Sequence, residues 1–327
     1  SLVVSWFGDD LRAGHCRVAP KVEHQAGAGL PIGSAPVVGA DPSDWSVSGL
    51  TRGTAELVAQ KDGVSVYGGT PSDASVLEAI AALKAADQGV MFYPFILMDQ
   101  LGGNALPDPY TGMVGQPALP WRGRITSERA LGTPGATDRT AAARLEVEAF
   151  MGSAQVSDFA VVDGAVIYSG PAEYSYRRFI LHYAHLCAAA GGVEAFCVGS
   201  EMRGLTQIRD ESGGFPAVEA LRILASEVRV VMGDEVKIGY AADWSEYAGY
   251  QPQDGSGDLL YHLDPLWADE AVDFIGIDNY MPIADWRDGD GHLDADAGAI
   301  YDLAYLRGNI RGGEGYDWYY RDAEERT

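Results

Sequence analysis

Five acidic residues stand just past apolar runs. Asp9 follows Leu2–Phe7, Asp99 follows Val90–Met98, Glu201 follows Ala195-Phe196-Cys197-Val198-Gly199-Ser200, Asp243 follows Val236–Ala241, and Asp278 follows Val272–Ile277. In α/β sheets, closed or open, chemistry gathers at the carboxyl ends of the strands. A carboxylic acid placed there against low-dielectric walls takes a raised pKa and can deliver a proton. Glu201 is the candidate general acid, with Met202, Arg203 and Gly204 behind it. The plain alternative is a surface glutamate in a βα loop. Aromatic and amide residues recur at the same places: Trp6, Tyr93, Trp244, Asn279 and Tyr280. Each aromatic alone is as readily a core residue; the recurrence at successive strand ends points to a shared rim.

Elements that could hold these residues follow from the hydrophobic pattern. Leu2–Phe7, Val64–Tyr67, Val90–Met98, Glu194–Glu201, Val236–Ala241 and Val272–Ile277 read as buried strands. Pro94 sits uneasily within the third, because proline is usually confined to strand edges and bulges. Helical spacing or composition marks Ser48–Gln60, Ser75–Ala86 with Ser72 as cap, a helix from Asp138 to Met151, Tyr174–Ala190, Phe215–Met232, a short segment in Leu259–Ala271, and a final one over 297–310. Phe159–Tyr168 alternates about Asp163-Gly164, a hairpin signal. Insertions fall at about 8–47, 100–137 and 155–172. Six strand–helix alternations imply a parallel sheet with right-handed crossovers. No Gly-x-Gly-x-x-Gly follows the first strand, which removes the dinucleotide fold and favours a barrel. A barrel mouth lined by acids and aromatics suits carbohydrate, since ring faces stack on sugars and carboxylates bind hydroxyls.

Composition bounds the partners. The 327 residues carry 23 Lys+Arg against 47 Asp+Glu, a net charge of −24. A surface this acidic repels phosphate backbones and anionic membranes. Cys16, Cys187 and Cys197 show no paired framework. No apolar run approaches the ~18 residues of a membrane span, and Ser1 leads directly into the first strand without a signal peptide. The six histidines form no strand-end cluster for a metal, and neither a Gly-x-Ser-x-Gly elbow nor a Walker motif is present. No cofactor and no metal are expected.

Six segments, in order, carry a resemblance. They are Leu2-Val3-Val4-Ser5-Trp6-Phe7-Gly8-Asp9-Asp10-Leu11-Arg12, Tyr67-Gly68-Gly69-Thr70-Pro71-Ser72-Asp73, Tyr93-Pro94-Phe95, Pro120-Trp121-Arg122-Gly123-Arg124-Ile125, Val198-Gly199-Ser200-Glu201 and Gly276-Ile277-Asp278-Asn279-Tyr280. Together they resemble the glycoside-hydrolase TIM-barrel-like domain of gene transfer agent and phage tail-tip (hub or host-specificity) proteins. The resemblance implies an α/β (β/α)8 TIM barrel, incomplete in this chain at about six βα units, in one domain over 1–327. That family is in turn similar to retaining glycosidases with a general acid/base Glu after strand four and a nucleophile Glu after strand seven. Glu201 matches the first role. Ser200 stands where an Asn usually binds the sugar 2-hydroxyl, and Tyr280 matches a Tyr that supports the nucleophile. The nucleophile itself is expected past Thr327, in a polypeptide that continues.

Retaining cleavage needs two carboxyls about 5–5.5 Å apart, and inverting cleavage roughly 6.5–9.5 Å. Asp243 and Asp278 are fallback second carboxylates; otherwise they bind sugar hydroxyls, together with Trp6, Asp9, Tyr93, Asp99, Ser200, Trp244, Asn279 and Tyr280. Two functions stay open. One is hydrolysis of a cell-envelope or capsular polysaccharide with Glu201 as acid/base. The other is a catalytically silent glycan-binding or structural module of a tail hub. Either implies polysaccharide and other tail or baseplate proteins as partners, with assembly in the bacterial cytoplasm, and neither nucleic acid nor membrane insertion.

Overall fold

The strands of the main sheet are β1 (Leu2–Gly8), β2 (Val18–Ala19), β3 (Met91–Met98), β4 (Ala195–Ser200), β5 (Lys237–Asp243) and β6 (Phe274–Asp278), in spatial order β6-β5-β4-β3-β1-β2. The computed structural model describes residues 1–25, 45–162, 165–280, 283–284, 286–289, 291–292 and 294–312. The ladders β1–β3, β3–β4 and β4–β5 are parallel, and β2 is an antiparallel flap on β1. β6 keeps one offset along β5: Asp273 N donates to Ile238 O, and Gly276 lies against Tyr240 and Ala241. It therefore runs the same way, giving five parallel strands in an open arc. The β3–β4 ladder is registered only at Met91 and Phe92, so Pro94 lies beyond it, where its missing N–H leaves no rung unmade.

One face of the arc is sealed. Alternation along β3 buries Phe92, Ile96 and Met98 and leaves Tyr93, Phe95 and Leu97 half-buried. Phe92 stacks on Phe196 at 5.6 Å and meets Tyr183 at 5.2 Å, while Trp6 lies 5.1 Å from Phe179. Phe179 and Tyr183 come from α3 (Tyr176–Ala189), which is buried almost all round because it also packs on the helix Pro216–Met232. The other face is only partly covered, and Val3 is 53% exposed there.

The remaining helices of the first unit are α1 (Asp73–Ala85), α2 (Ala141–Met151), the single turn α4 (Arg203–Thr206), α5 (Pro216–Met232) and the single turn α6 (Asp264–Trp267). Ser72 caps α1 as its sequence suggests, its Oγ accepting from Ser75 N at 3.1 Å. α5 buries Val218, Leu221, Leu224 and Val228, the stripe its periodicity marks. Phe159–Val162 and Ala165–Tyr168 pair as the expected hairpin; its turn, Asp163-Gly164, lies outside the described residues.

Several expectations are corrected. Val64–Tyr67 is not a strand of the arc: Gln60–Lys61 and Val64–Ser65 form a separate hairpin. Ser48–Gln60 is not a helix; Ser46–Val47 and Leu50–Thr51 form another hairpin. Both reversals have the same cause. Ser48 and Gly49 (φ 51° and 83°), and Asp62 and Gly63 (φ 54° and 77°), are consecutive left-handed pairs, the geometry of two-residue hairpin turns. That turn chemistry outweighs the helical spacing of Leu50, Leu57 and Val58. Asp138 does not cap α2; Thr140 occupies that position, and Asp138 instead accepts from Arg209 N at 2.9 Å. Leu259–Ala271 shrinks to α6. Among the described residues, Glu201 thus follows the third parallel strand counted from β1, not the fourth.

The chain divides into two compact units, Ser1–Ile277 and Asp278–Thr327. In the second, α7 (Leu303–Gly312) begins at Asp302, whose Oδ1 accepts from Ala304 N and Tyr305 N at 2.9 and 2.8 Å. Tyr305 hydroxyl donates to Asp294 Oδ2 at 2.6 Å, and Trp286 packs edge-on to His292. No described helix is long and apolar enough to cross a membrane.

The two faces make opposite mutational predictions. Phe196→Ala, on the sealed face, is expected to cost about 3–5 kcal/mol. Val3→Ser, on the open face, should stay within about 0.5 kcal/mol. Chemical unfolding of both variants checks this; equal losses would show that the second face is sealed too.

Candidate functional site

β4 reaches its end by an irregular path. Its register with β5 slips between Cys197 and Ser200, which leaves Ser200 opposite Ala241. Gly199 lies in that slip. A Cβ there would come 2.4 Å from the Tyr176 hydroxyl and 3.1 Å from the Tyr240 ring, so only glycine lets the strand pass between the two tyrosines. Glu201 then takes a left-handed backbone, φ 48°, which costs a non-glycine residue about 1 kcal/mol or more. Its N–H donates to Ala241 O at 2.8 Å, and the next N–H, of Met202, donates to the Tyr240 hydroxyl at 2.9 Å. Both bonds tie the turn to β5.

Glu201 is 6% exposed, and its carboxylate is held on Oε2. Trp121 Nε1 donates to that oxygen at 2.6 Å, and Arg122 Nη2 lies 3.2 Å from it. Arg122 also donates Nε to Ser200 O at 2.9 Å and Nη2 to Ser200 Oγ at 3.0 Å. Its guanidinium lies 3.6 Å over the Phe95 ring of β3. Charge-assisted bonds and a cation–π contact combine here in a buried place, where the planar fork of arginine fits better than lysine could. The loop that brings these two residues presses against α4: a Cβ on Gly204 would come 2.6 Å from Ile125 O. At Oε2 the site therefore presents an acceptor already engaged by two donors. Trp121 keeps 36% of its surface exposed beside it.

Two more expected residues share this rim. Asp243 ends β5 two residues past Ala241; its Oδ1 accepts from Ser245 N at 2.9 Å and from Ser245 Oγ. Trp244 follows, also 36% exposed. Ser200 faces Arg122 with its hydroxyl, as described above. Tyr93, expected at a strand end, is instead the third residue of β3, paired with Val3 near the opposite end from this rim, half-buried with its ring 6.3 Å from Phe95.

Other expected residues do different work. Trp6 is fully buried against Phe179 and donates Nε1 to Tyr183 hydroxyl at 3.1 Å, so no sugar can stack on it. Its position on β1 points it into the sealed face. Asp99 is buried and neutralised: Lys21 Nζ contacts its two oxygens at 2.9 and 3.0 Å, and Ala59 N donates to it at 3.0 Å. It fastens the insertion after β2 to the end of β3. Asp9 is half-buried and accepts Arg17 N at 2.8 Å; burial pushes its pKa up, more than the Arg17 N–H and the charges of Lys21 and Arg17 pull it down. Asp278, Asn279 and Tyr280 open the second unit, with Tyr280 73% exposed.

Glu246 belongs to the site without any signal in the sequence. It is fully buried, three residues past Asp243, in a turn without a marker. Oε1 accepts from Thr206 Oγ1 at 2.6 Å and from Tyr240 hydroxyl at 2.9 Å, and Oε2 from Asp243 N at 3.2 Å. Burial drives its pKa up to about 7; the three hydrogen bonds pull the other way and the Asp243 charge adds to the rise. His262 stands 3.3 Å from Thr206 Oγ1, and burial lowers its pKa to about 4. Trp121 and Arg122 were visible only as part of a motif, because nothing in their spacing from Glu201 foretells contact.

With this geometry in view, the relation to known proteins is direct over part of the chain. Residues 174–327 match the GTA TIM-barrel-like domain. The GTA TIM-barrel-like segment takes in β4, β5, β6 and Glu201, while Trp121 and Arg122, the donors to Glu201, precede it. The open parallel arc with its helices is accordingly an incomplete TIM barrel. No curated protein matches the chain. Among solved structures, it is similar to the GH113 β-mannanase AaManA from Alicyclobacillus acidocaldarius, with 18% identity over 76% of this chain and 51% of that one, TM-score 0.36. Two other GH113 β-1,4-mannanase structures give 17% identity over 76% and 52%, TM-score 0.34, and 20% over 73% and 52%, TM-score 0.33. The chain spans about half the length of each. Overlaps this loose do not align one side chain with another.

Two expectations follow for stability. Since the folded pKa of Glu246 lies above its ordinary 4.5, the folded chain holds a proton that the unfolded chain releases. That stabilisation is complete below about pH 4.5 and is lost as pH rises through about 7. Thermal unfolding of wild type and Glu246→Gln should therefore show an advantage of wild type at about pH 5 that shrinks by about pH 8; a constant difference would contradict it. Separately, Lys21→Met leaves Asp99 charged and buried, and denaturant titration should register a loss of about 3–5 kcal/mol.

Proposed function

We propose that this chain is a glycoside hydrolase-like module of a phage-tail-like particle, acting on cell-envelope or capsular polysaccharide, with Glu201 as its reactive carboxyl. The observation that carries the reading is the placement of Glu201. It stands at the carboxyl end of a parallel strand, on a left-handed turn fixed by Ala241 and Tyr240, beside a half-exposed Trp121. On the next strand end, Asp243 and the half-exposed Trp244 add a carboxylate and a second ring. Indole faces with carboxylates between them recognise the apolar face and the hydroxyls of a sugar at once. The GTA TIM-barrel-like match over residues 174–327 supports the barrel rim and the phage-like setting. Assembly in the bacterial cytoplasm, with other tail or baseplate proteins as partners, is part of the same proposal.

In this mechanism Glu201 protonates the leaving oxygen and then deprotonates water, provided Oε2 is released by Trp121 or the proton travels on Oε1. The second carboxyl is either Asp243 or a group outside the described residues. Asp278, Asn279 and Tyr280 are the remaining proposed sugar contacts.

A specific observation favours a second reading, in which the rim binds glycan without cutting it. Oε2 accepts from Trp121, lies beside Arg122, and Ser200 Oγ is taken by the same guanidinium. That arrangement holds a carboxylate as a fixed acceptor for ligand hydroxyls.

One experiment separates the two. The full-length protein and its Glu201→Gln variant are incubated with purified capsular polysaccharide, and both reducing-end release and binding are measured. Catalysis predicts a loss of about 10²–10⁴-fold in the variant. Binding without release, weakened in the variant, selects the second reading. Equal behaviour of the two proteins in both assays removes Glu201 from the function.

A further inference from the structure

We infer that Glu246 is a positioning residue for Glu201: through the Tyr240 hydroxyl it fixes the left-handed turn that sets the Glu201 carboxylate beside Trp121 and Arg122 at the rim. The importance given to Glu201 rests on the reading above; the geometry of the clamp does not.

A left-handed glutamate persists only where its surroundings over-determine it. Here the turn has two ties, Glu201 N to Ala241 O and Met202 N to Tyr240 hydroxyl. The first is an ordinary rung between β4 and β5. The second depends on a side chain, and a tyrosine hydroxyl is a rotor with one hydrogen. It serves as an acceptor for Met202 only if that hydrogen is committed elsewhere. Glu246 Oε1 receives it at 2.9 Å, which turns a lone pair of the hydroxyl towards Met202.

The same carboxyl collects the neighbouring elements. Thr206 Oγ1 brings the end of α4, which begins right after the Glu201–Met202 turn. Asp243 N brings the end of β5, where Asp243 and Trp244 leave the strand. Three bonds from three backbone segments meet on one side chain with no exposed surface. A fully buried carboxyl is a costly choice for mere packing, because an apolar residue of similar volume would fill the space. What the carboxyl supplies, and an apolar residue does not, is a pair of directed acceptors that orient the Tyr240 hydroxyl and the Asp243 backbone together. Glu246 touches no ligand space itself; it acts through Tyr240 and Met202.

The test reads the turn directly. Amide hydrogen exchange of the full chain is followed at Met202 in wild type, Tyr240→Phe, Glu246→Gln and Glu246→Leu. Tyr183→Phe, another buried tyrosine whose oxygen accepts from Trp6, is the control. Tyr240→Phe and Glu246→Leu should speed exchange at Met202 by about tenfold, the effect of losing one hydrogen bond. Glu246→Gln keeps an acceptor oxygen and should retain most of the protection, and Tyr183→Phe should leave Met202 unchanged. Polysaccharide binding should fall in parallel with Met202 protection across the series. If Glu246→Leu does not fold, Glu246→Met is read in its place. Unchanged Met202 exchange in Tyr240→Phe or in the apolar Glu246 variant, or equal acceleration in Tyr183→Phe, overturns the inference. Faster exchange in Tyr240→Phe together with glycan behaviour that ignores Glu201→Gln upholds the clamp and removes the function proposed for Glu201.

Discussion

One guanidinium holds the rim together. Arg122 lies over Phe95 of β3, donates to the Ser200 carbonyl and hydroxyl at the end of β4, and sits beside the Glu201 carboxylate. With Trp121, it ties a loop of the long insertion after β3 to the end of β4. A buried guanidinium can be stable only with its donors met, and here its partners are the groups that define the site. Glu201 is therefore not a free acid at a strand end. It is one member of a network in which Trp121, Arg122 and Ser200 are the others.

Behind that network lies a second, made of Glu246, Tyr240 and Thr206. The two differ in chemistry and in role. The front layer presents charge and indole surface to whatever enters the rim. The rear layer is fully buried, holds a carboxyl whose pKa burial raises, and fixes backbone. Gly199 marks the seam, since β4 must pass between Tyr176 and Tyr240 where a side chain has no room. The acidic character of the chain is managed in the same local manner. Asp10 is answered by Arg12 and Gln116, Asp99 by Lys21, and Asp210 by Arg144 and Ser212. The large negative charge is a property of the surface; each buried carboxylate named here has its own donors.

Barrel architecture explains why the sealed and open faces differ. In a parallel βα arc the helices cross one face of the sheet, and the other face looks inward. Phe92, Phe196 and Trp6 meet α3 on the first face, whereas Val3 and Tyr93 look the other way. The rim residues lie at the carboxyl ends, where loops from several segments converge.

By itself the sequence determined the parts with a period. Long apolar runs became β1, β3, β4, β5 and β6, and the amphipathic stripe of α5 and the Ser72 cap of α1 were legible because each depends on residues near one another in the chain. Glu201 could be named as well, since a strand end next to an acid is a local pattern. Tertiary structure alone decided what surrounds it. Trp6 and Trp244 look alike in sequence, yet one is sealed under α3 and the other half-exposed at the rim, because strand parity and helix placement choose the face. Asp99 and Asp243 likewise both follow strands, but a lysine 78 residues away neutralises the first. Glu246 had no signature at all, for a buried carboxyl acquires its meaning from Thr206, Tyr240 and Asp243 only once the chain has folded them around it. The two hairpins that stand where a helix and a barrel strand are expected show the reverse case: consecutive left-handed residues at Ser48-Gly49 and Asp62-Gly63 are a local signal that outweighs an apolar spacing. Pattern sets the elements, and the distances that make a site arise between residues that no pattern links.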